Sequence, residues 1–541
     1  MPHYCNLEVF KITIIGHPQN CSLRGEIKAA YTGAMKTSFL VALLNGLVAT
    51  FVWGGEMVNE SFDSENQRRA WQLVDGCEWV CPQLGSNTFL KVSAKDANMV
   101  AIVRKIDLRP FAGMKIAVTA DLRLEGVTKP AHEWNGVKCM LVFETPTTSK
   151  QWCSLSNVYG TEDWKSYGYT CEIPPDATTG EWVLGLQESA GTVFFDNLAI
   201  RENGRRATTL PLPRAFAEPP YRGHAESRLR GCMISPVYDR EGLETLHAWG
   251  ANLVRFQITR DDNSAEADLD AFERRLQKLL GELEKMLPDC ERLGIKVVID
   301  LHSPPGGRLP DRSMAMFYQQ DYADRFVETW QKIARQFKGR PAVWAYDLIN
   351  EPVQNIPVPP GLQDYWDLQI RAAQAIREID PETAIIFEVD NWDSASGFRF
   401  VEPVPVSNVV YQVHLYNPHE FTHQNVNDVV KPLAYPGTCN GAPLNREYLR
   451  KILKPVRDFQ LAYNVQIYAG EFSAARWAPG AADYLRDCID LFEEYGWDWS
   501  YHAFREWDGW SVEHGSDKED RKPVSQDTDR KKVLVEAFHR P

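Results

Sequence analysis

Two glutamates in this chain follow short apolar, strand-like runs. Glu351 closes Trp344-Ala345-Tyr346-Asp347-Leu348-Ile349-Asn350-Glu351-Pro352, and Glu471 closes Val465-Gln466-Ile467-Tyr468-Ala469-Gly470-Glu471. A carboxylate carried out of a core by a buried strand costs free energy unless it has a partner or a reaction to serve. Two such groups suit acid–base chemistry at one centre, with one ionised and the other holding a proton. Hydrolysis of a glycosidic bond asks for that pair: the departing oxygen needs a proton, and the opposite face of the sugar needs a nucleophile or an activated water. Arg255, at the end of another apolar run, would keep one carboxylate ionised, and that charge would raise the pKa of its neighbour. The residues by themselves do not say which glutamate takes which part.

The elements that position these groups follow from the pattern around them. From about residue 223 to 541, strand candidates alternate with helical stretches such as 269–293 and 320–336. The strands end near Ser235, Gln257, His302, Glu351, Asp390, Tyr416, Glu471 and Phe504. Eight β/α units of this size predict a (β/α)8 TIM barrel, whose active site forms at the carboxyl ends of its strands. The side chains expected there are Arg255, His302, Asn350 with Glu351, Trp392, His414 with Tyr416, and Glu471. Asp300 and Asp347 sit farther back in their strands and read as structural charges needing partners. Glu388 and Asp390 are the alternatives to Glu351.

Ahead of the barrel, residues 58–202 show short alternating or apolar runs with turn signals between them and no helical periodicity, which predicts a β-sandwich. Residues 203–222, with Pro211, Pro213, Pro219 and Pro220, read as a linker or an arm laid on the next domain. Met35-Lys36-Thr37-Ser38 and the apolar run at 39–53 have the form of a secretory signal over residues 35–57, too short for a bilayer span, with residues 1–34 an upstream extension. A secreted or periplasmic/cell-surface protein is therefore expected. Of 11 cysteines, Cys77, Cys81, Cys139, Cys153 and Cys171 fall in the sandwich, where one or two bridges are expected; no pairing at zinc spacing is seen, and no metal site is expected.

Composition narrows the partners. The formal net charge of −14 disfavours nucleic acid, which needs a clustered positive face. The 17 Trp, 20 Tyr and 24 Phe are numerous enough to supply flat faces for sugar rings as well as a core.

Taken together, Asn350-Glu351-Pro352, Ile299-Asp300-Leu301-His302 followed by Pro304-Pro305-Gly306-Gly307, Val413-His414-Leu415-Tyr416, and Gly470-Glu471-Phe472 resemble the motifs of glycoside hydrolase family 5, the cellulase-type branch of clan A, over most of residues 223–510. The resemblance implies a retaining enzyme without a cofactor, with Glu351 as acid/base and Glu471 as nucleophile. Asn350 would bind the 2-hydroxyl in the −1 subsite, Arg255 would orient Glu471, and His302, His414 and Tyr416 would line the same subsite. One position departs from the pattern. Where the family places a tryptophan at the end of the eighth strand, this chain has His502, and Trp507 or Trp510 could supply the stacking platform instead. The stretches Asp163-Trp164-Lys165-Ser166-Tyr167-Gly168-Tyr169 and Gly191-Thr192-Val193-Phe194-Phe195-Asp196-Asn197-Leu198 resemble the last strands of jelly-roll carbohydrate-binding modules.

The expected partner is a β-linked polysaccharide or oligosaccharide, with endo-β-1,4-glucanase activity as the leading reading. A β-mannanase, another β-glycosidase, a transglycosylase of the same family and a non-catalytic carbohydrate-binding protein are the alternatives.

Overall fold

The computed structural model describes residues 56–541 apart from 83–86, 133, 147–149, 213, 261–266, 310, 427–432 and 440. The expected extension at 1–34 and all but the last two residues of the expected signal lie outside the described residues.

Eight parallel strands close into a barrel in chain order: β1 (Arg230–Ile234), β2 (Leu253–Gln257), β3 (Lys296–Asp300), β4 (Val343–Asp347), β5 (Ala384–Phe387), β6 (Val409–Leu415), β7 (Ile467–Phe472) and β8 (Asp498–Phe504). Runs such as Lys296-Val297-Val298-Ile299-Asp300 are rich in β-branched residues, which pack well on a pleated surface. Successive residues of a strand face opposite sides. One set, including Leu253, Val298, Ala345, Ile386, Val410 and Tyr468, fills the barrel interior. The other, including Val254, Phe256, Val297 and Ile299, meets the surrounding helices. The helix Leu269–Leu293 shows how those helices are specified. The Asp268 side chain accepts from the amides of Asp270 and Ala271, buried positions recur at Phe272, Leu276, Leu279, Leu283 and Leu287, and Gly294 at φ 68° ends the helix in the left-handed region. Burying each such leucine contributes roughly 1.5–3 kcal/mol.

The same alternation carries polar side chains inward at the carboxyl ends of the strands. Arg255, Asp300 and Asp347 lie two positions beyond Leu253, Val298 and Ala345 on the inner face. On β7 the alternation by itself would turn Glu471 outward, since Tyr468 and Gly470 face in. The register between β6 and β7 slips here: Val413 pairs with Ala469 but His414 pairs with Glu471. Gly470 is the extra residue of a bulge, and the bulge turns Glu471 inward. A side chain at 470 would force the Gln412 amide to shift, because its Cβ would stand 2.3 Å from that group.

The N-terminal region is a β-sandwich of two antiparallel sheets. One runs Cys77–Val80, Phe89–Ala94, Gly191–Arg206, Met114–Val127, Gly160–Glu172, with Glu56–Glu60 added beside Gly191–Arg206. The other runs Val100–Asp107, Thr179–Gln187, Gly136–Phe143, Gln151–Ser154. Ile102, Ile116, Leu141, Trp182, Leu184, Phe195 and Ile200 are among the side chains filling the space between them. Of the five sandwich cysteines, Cys153 and Cys171 are bridged to each other, and Cys77 and Cys139 stand outside that bridge. The outer face of the first sheet rests on the barrel through Lys115 with Asp390, Arg205 with Asp364 and Asp367, and the amide of Thr208 donating to the Arg399 carbonyl. No described helix is long and apolar enough to cross a membrane.

The bulge yields a direct expectation. Gly470→Ala should lower stability by about 1–3 kcal/mol, the usual range for an overpacked interior, and should cost activity beyond that loss because Glu471 moves with the strand. Denaturant unfolding and activity at a temperature where both proteins are folded test it; a variant of unchanged stability and activity would show that the bulge does not hold Glu471.

Candidate active site

Arg255 is fully buried at the middle of the barrel mouth, and its guanidinium gathers four carboxylates: Glu471 at 2.6 Å, Asp347 at 2.9 Å, Glu388 at 3.1 Å and Asp300 at 3.2 Å. It also donates to the Asn350 side-chain oxygen at 3.1 Å. One positive charge cannot stabilise four negative ones in a low-dielectric interior, so the carboxyls divide into ionised and neutral. Burial pushes the Asp347 carboxyl up to about 6, against the pull of Arg255 and with the help of the Asp300 charge. Burial and the charges of Asp347 and Asp393 push Glu388 well above the usual range. Burial likewise raises Asp393.

Glu471 goes the other way. Burial opposes its ionisation, but the charges of His414 and His502, a hydrogen bond from His502 and Arg255 outweigh it and hold the carboxyl well below its ordinary value. Its two oxygens are fully engaged. Oε1 accepts from Arg255; Oε2 accepts from the Tyr416 hydroxyl at 2.9 Å and lies 3.0 Å from His502 Nδ1. His502 is clasped on its far side by Glu506, 3.1 Å from Nε2. Burial would lower this imidazole, yet the charges of Glu471 and Glu506 carry it up to about 10, so at neutral pH it is an imidazolium between two carboxylates.

Glu351 stands four residues beyond the end of β4, in the left-handed region at φ 53°. That conformation costs a non-glycine residue on the order of 1–2 kcal/mol and is held by specific contacts. The Glu351 amide donates to Glu388 Oε2 at 2.6 Å, and Arg308 donates to the Glu351 carbonyl at 2.8 Å. His414 Nδ1 meets the carboxylate Oε1 at 3.1 Å and lies 3.8 Å from Glu471 Oε2. Oxygens of Glu351 and Glu471 come within 4.8 Å of each other across this imidazole. The two carboxylates thus meet in the barrel mouth with the His414 imidazole beside both.

The remaining expected residues are distributed as follows. His302 Nδ1 pairs with Asp300 at 2.8 Å and its Nε2 lies 3.4 Å from the Asn350 amide; the Asp300 charge raises this imidazole despite its burial. Trp392 is 41% exposed on the rim, with the Arg308 guanidinium 4.6 Å over its ring. Trp392 belongs to a run of three left-handed non-glycine residues, Asn391, Trp392 and Asp393 at φ 64°, 63° and 51°. Trp507 stands edge-on to Trp477 and Trp510, and it is Trp510 that lies against Tyr416 and His502, with ring centroids 5.9 Å and 6.1 Å away.

Several members of the site carry no local sequence signal. Glu506 is four residues from His502 in a loop, and Gln412, which bridges Glu388 and His414, looks like an ordinary strand residue. Arg308 sits in a stretch of prolines and glycines. Its neighbourhood, Gly306-Gly307-Arg308, marks a turn but not a contact to Glu351.

Among the described residues, Glu351, His414 and Glu471, or Glu388, Asp393 and His414, present ligand atoms close enough for a metal ion. In the first set, the Glu471 oxygens already accept from Arg255 and Tyr416, with His502 alongside.

The charge arrangement predicts a pH response. Because the His502 imidazolium helps hold Glu471 ionised, His502→Gln should raise the Glu471 pKa and move the acidic limb of kcat/KM to higher pH, so that activity is lost earlier as pH falls. An acidic limb at the same pH in both proteins would rule out that coupling.

Comparisons with known proteins supply the family. Residues 224–508, just over half of the chain, match the family Cellulase (glycosyl hydrolase family 5). Endoglucanase C of Acetivibrio thermocellus is 27% identical over 321 residues, covering 53% of this chain and 88% of that protein. Cellodextrinase A of Ruminococcus flavefaciens is 24% identical over 261 residues, 45% of this chain and 74% of that protein. Among solved structures, Thermotoga maritima Cel5A in complex with mannotriose superposes with a TM-score of 0.45 at 21% identity, over 58% of this chain and 98% of that one.

Proposed function

Because this chain belongs to glycosyl hydrolase family 5, the cellulase family, and is a glycoside hydrolase, we propose that it is a secreted endo-β-1,4-glucanase that cleaves its polysaccharide with retention of configuration. The observation that carries the mechanism is the approach of the Glu351 and Glu471 oxygens to within 4.8 Å. Retaining enzymes hold their two carboxyl groups about 5–5.5 Å apart, whereas inverting ones leave roughly 6.5–9.5 Å for a water.

In this reading Glu471 is the nucleophile. It is ionised, pinned by Arg255 and Tyr416, and needs no deprotonation before attacking the anomeric carbon. Glu351 gives its proton to the departing oxygen and then takes one from the water that releases the sugar. His414, between the two, keeps their spacing. Asn350, fixed by Arg255 and near His302, offers its amide to a sugar hydroxyl, while Trp392 on the rim and Trp510 beside His502 offer aromatic faces. The endoglucanase specificity is drawn from the matched relative of that name.

The experiment is sugar release from a panel of carboxymethyl-cellulose, β-glucan, xyloglucan, mannan and xylan. Glu471→Ala should fall to background on every polymer. Glu351→Gln should lose about 10²- to 10⁴-fold on natural linkages, the usual worth of a general acid, but much less on an aryl glycoside whose leaving group needs no proton. Equal losses on both substrates would remove Glu351 from the acid role, and release from mannan alone would replace the glucanase reading with a mannanase.

The sandwich supports a second binding site for the same polymer. The outer face of its second sheet carries Val103, Val183 and Met140 in one row and Val142 beside Trp152 in the next. Trp152 and Trp134 are 62% and 64% exposed, and Lys138 on this face reaches the Trp134 carbonyl. Trp152→Ala should weaken retention on the polymer that the barrel cleaves by roughly tenfold, a little over 1 kcal/mol, while leaving hydrolysis of a short soluble substrate intact. Unchanged retention in affinity electrophoresis would exclude this face.

A further inference from the structure

The contact between the two domains falls on the segments that hold the acid/base glutamate. Lys115, from the sandwich strand Met114–Val127, is an ion-pair partner of Asp390 Oδ2, and both side chains are nearly enclosed, 11% and 10% exposed. Its ammonium also donates to the Gln354 carbonyl at 3.1 Å. Asp390 Oδ1 in turn accepts from the Gln354 amide at 2.8 Å, and Asn203 of the sandwich donates to the Gln354 carbonyl at 3.1 Å. Gln354 is three residues after Glu351, and Asp390 opens the left-handed run that presents Trp392 and Asp393. The two barrel segments touch a second time where the Trp392 amide donates to the Pro352 carbonyl at 3.3 Å. Around the same loop, Glu172 of the sandwich accepts from Ser396 at 3.2 Å.

We infer that Lys115 is a positioning residue for the active site, and that the sandwich serves the barrel as a clamp: its ammonium locks the segment after Glu351 to the strained turn carrying Trp392. Three successive left-handed residues persist only where their surroundings over-determine them. The barrel supplies the Asp393 carboxylate, which accepts from the Val389 amide at 2.9 Å. Lys115 supplies the charge that the other end of the turn needs, since Asp390 without it would be an enclosed carboxylate lacking a counter-ion. The inference rests on the proposed reaction only for its kinetic readout; the conformational readout stands whatever the substrate.

The test compares full-length Lys115→Met with Arg205→Ala, which cuts another domain contact, the pairs with Asp364 and Asp367. Hydrogen exchange is followed over residues 350–356 and 388–396, with kcat and KM on a short soluble glycoside. Lys115→Met should speed exchange in both segments and lower kcat/KM at least tenfold. Lys115→Arg should restore most of both, and Arg205→Ala should leave exchange in the two segments unchanged and activity within twofold. Unchanged exchange in Lys115→Met overturns the inference, as does an equal effect of Arg205→Ala, which would reduce Lys115 to general docking. Should Lys115→Met fail to fold, Asp390→Asn breaks the same pair from the barrel side, and normal exchange in that variant overturns the inference equally.

Discussion

A fully buried guanidinium ringed by four carboxylates has a fixed charge and a limited capacity to share it, and that constraint organises the barrel mouth. Arg255 touches Asp300, Asp347, Glu388 and Glu471. Burial drives Asp347 and Glu388 toward the neutral form, whereas Glu471 keeps its charge against burial because His414 and His502 face it in addition to the shortest of the Arg255 contacts. Which carboxyl stays ionised is thus a result of competition for counter-charge, not of strand position. Glu388 has its own part: its oxygens accept from the Glu351 amide and the Gln412 side chain, so the same cluster that surrounds Glu471 also fixes the backbone at Glu351.

The second constraint is backbone strain. Glu351 and the run from Asn391 to Asp393 lie in a region that side chains disfavour, and each is fastened from outside its own loop. Arg308 serves both, donating to the Glu351 carbonyl and stacking over Trp392. The sandwich adds Lys115 and Asn203 at Gln354. Rigid strands therefore place Glu471, while a set of cross-loop contacts places Glu351, which under the proposed mechanism suits a group that gives and takes a proton without drifting from the leaving oxygen.

Much of this was legible in the sequence because it is local or periodic. Apolar strand-length runs ending near Gln257, Glu351 and Glu471 pointed to the eight-stranded barrel and brought Arg255 into view, since a barrel's site forms at the carboxyl ends of its strands. Other features arise from contacts that no local pattern encodes. Strand β4 ends at Asp347 and the chain reaches Glu351 through a loop; Gly470 makes a bulge only because Gln412 occupies the space beside it; Glu506 joins the site through His502; Lys115 meets Asp390 across two domains. His502 stood out as a departure from the family's tryptophan, but its role as a charged bridge between Glu471 and Glu506 needed three-dimensional neighbours.

The central claim is that the Arg255 cluster selects Glu471, among the carboxylates it touches, to form the bond to sugar. The most direct measurement is to treat the protein with a 2-deoxy-2-fluoro-cellobioside carrying an activated leaving group, digest it and locate the added sugar by mass spectrometry. The account predicts one sugar per chain on the peptide containing Glu471, with none on peptides containing Glu351 or Glu388. A label on Glu388, or steady turnover with no covalent sugar on the chain, would contradict it.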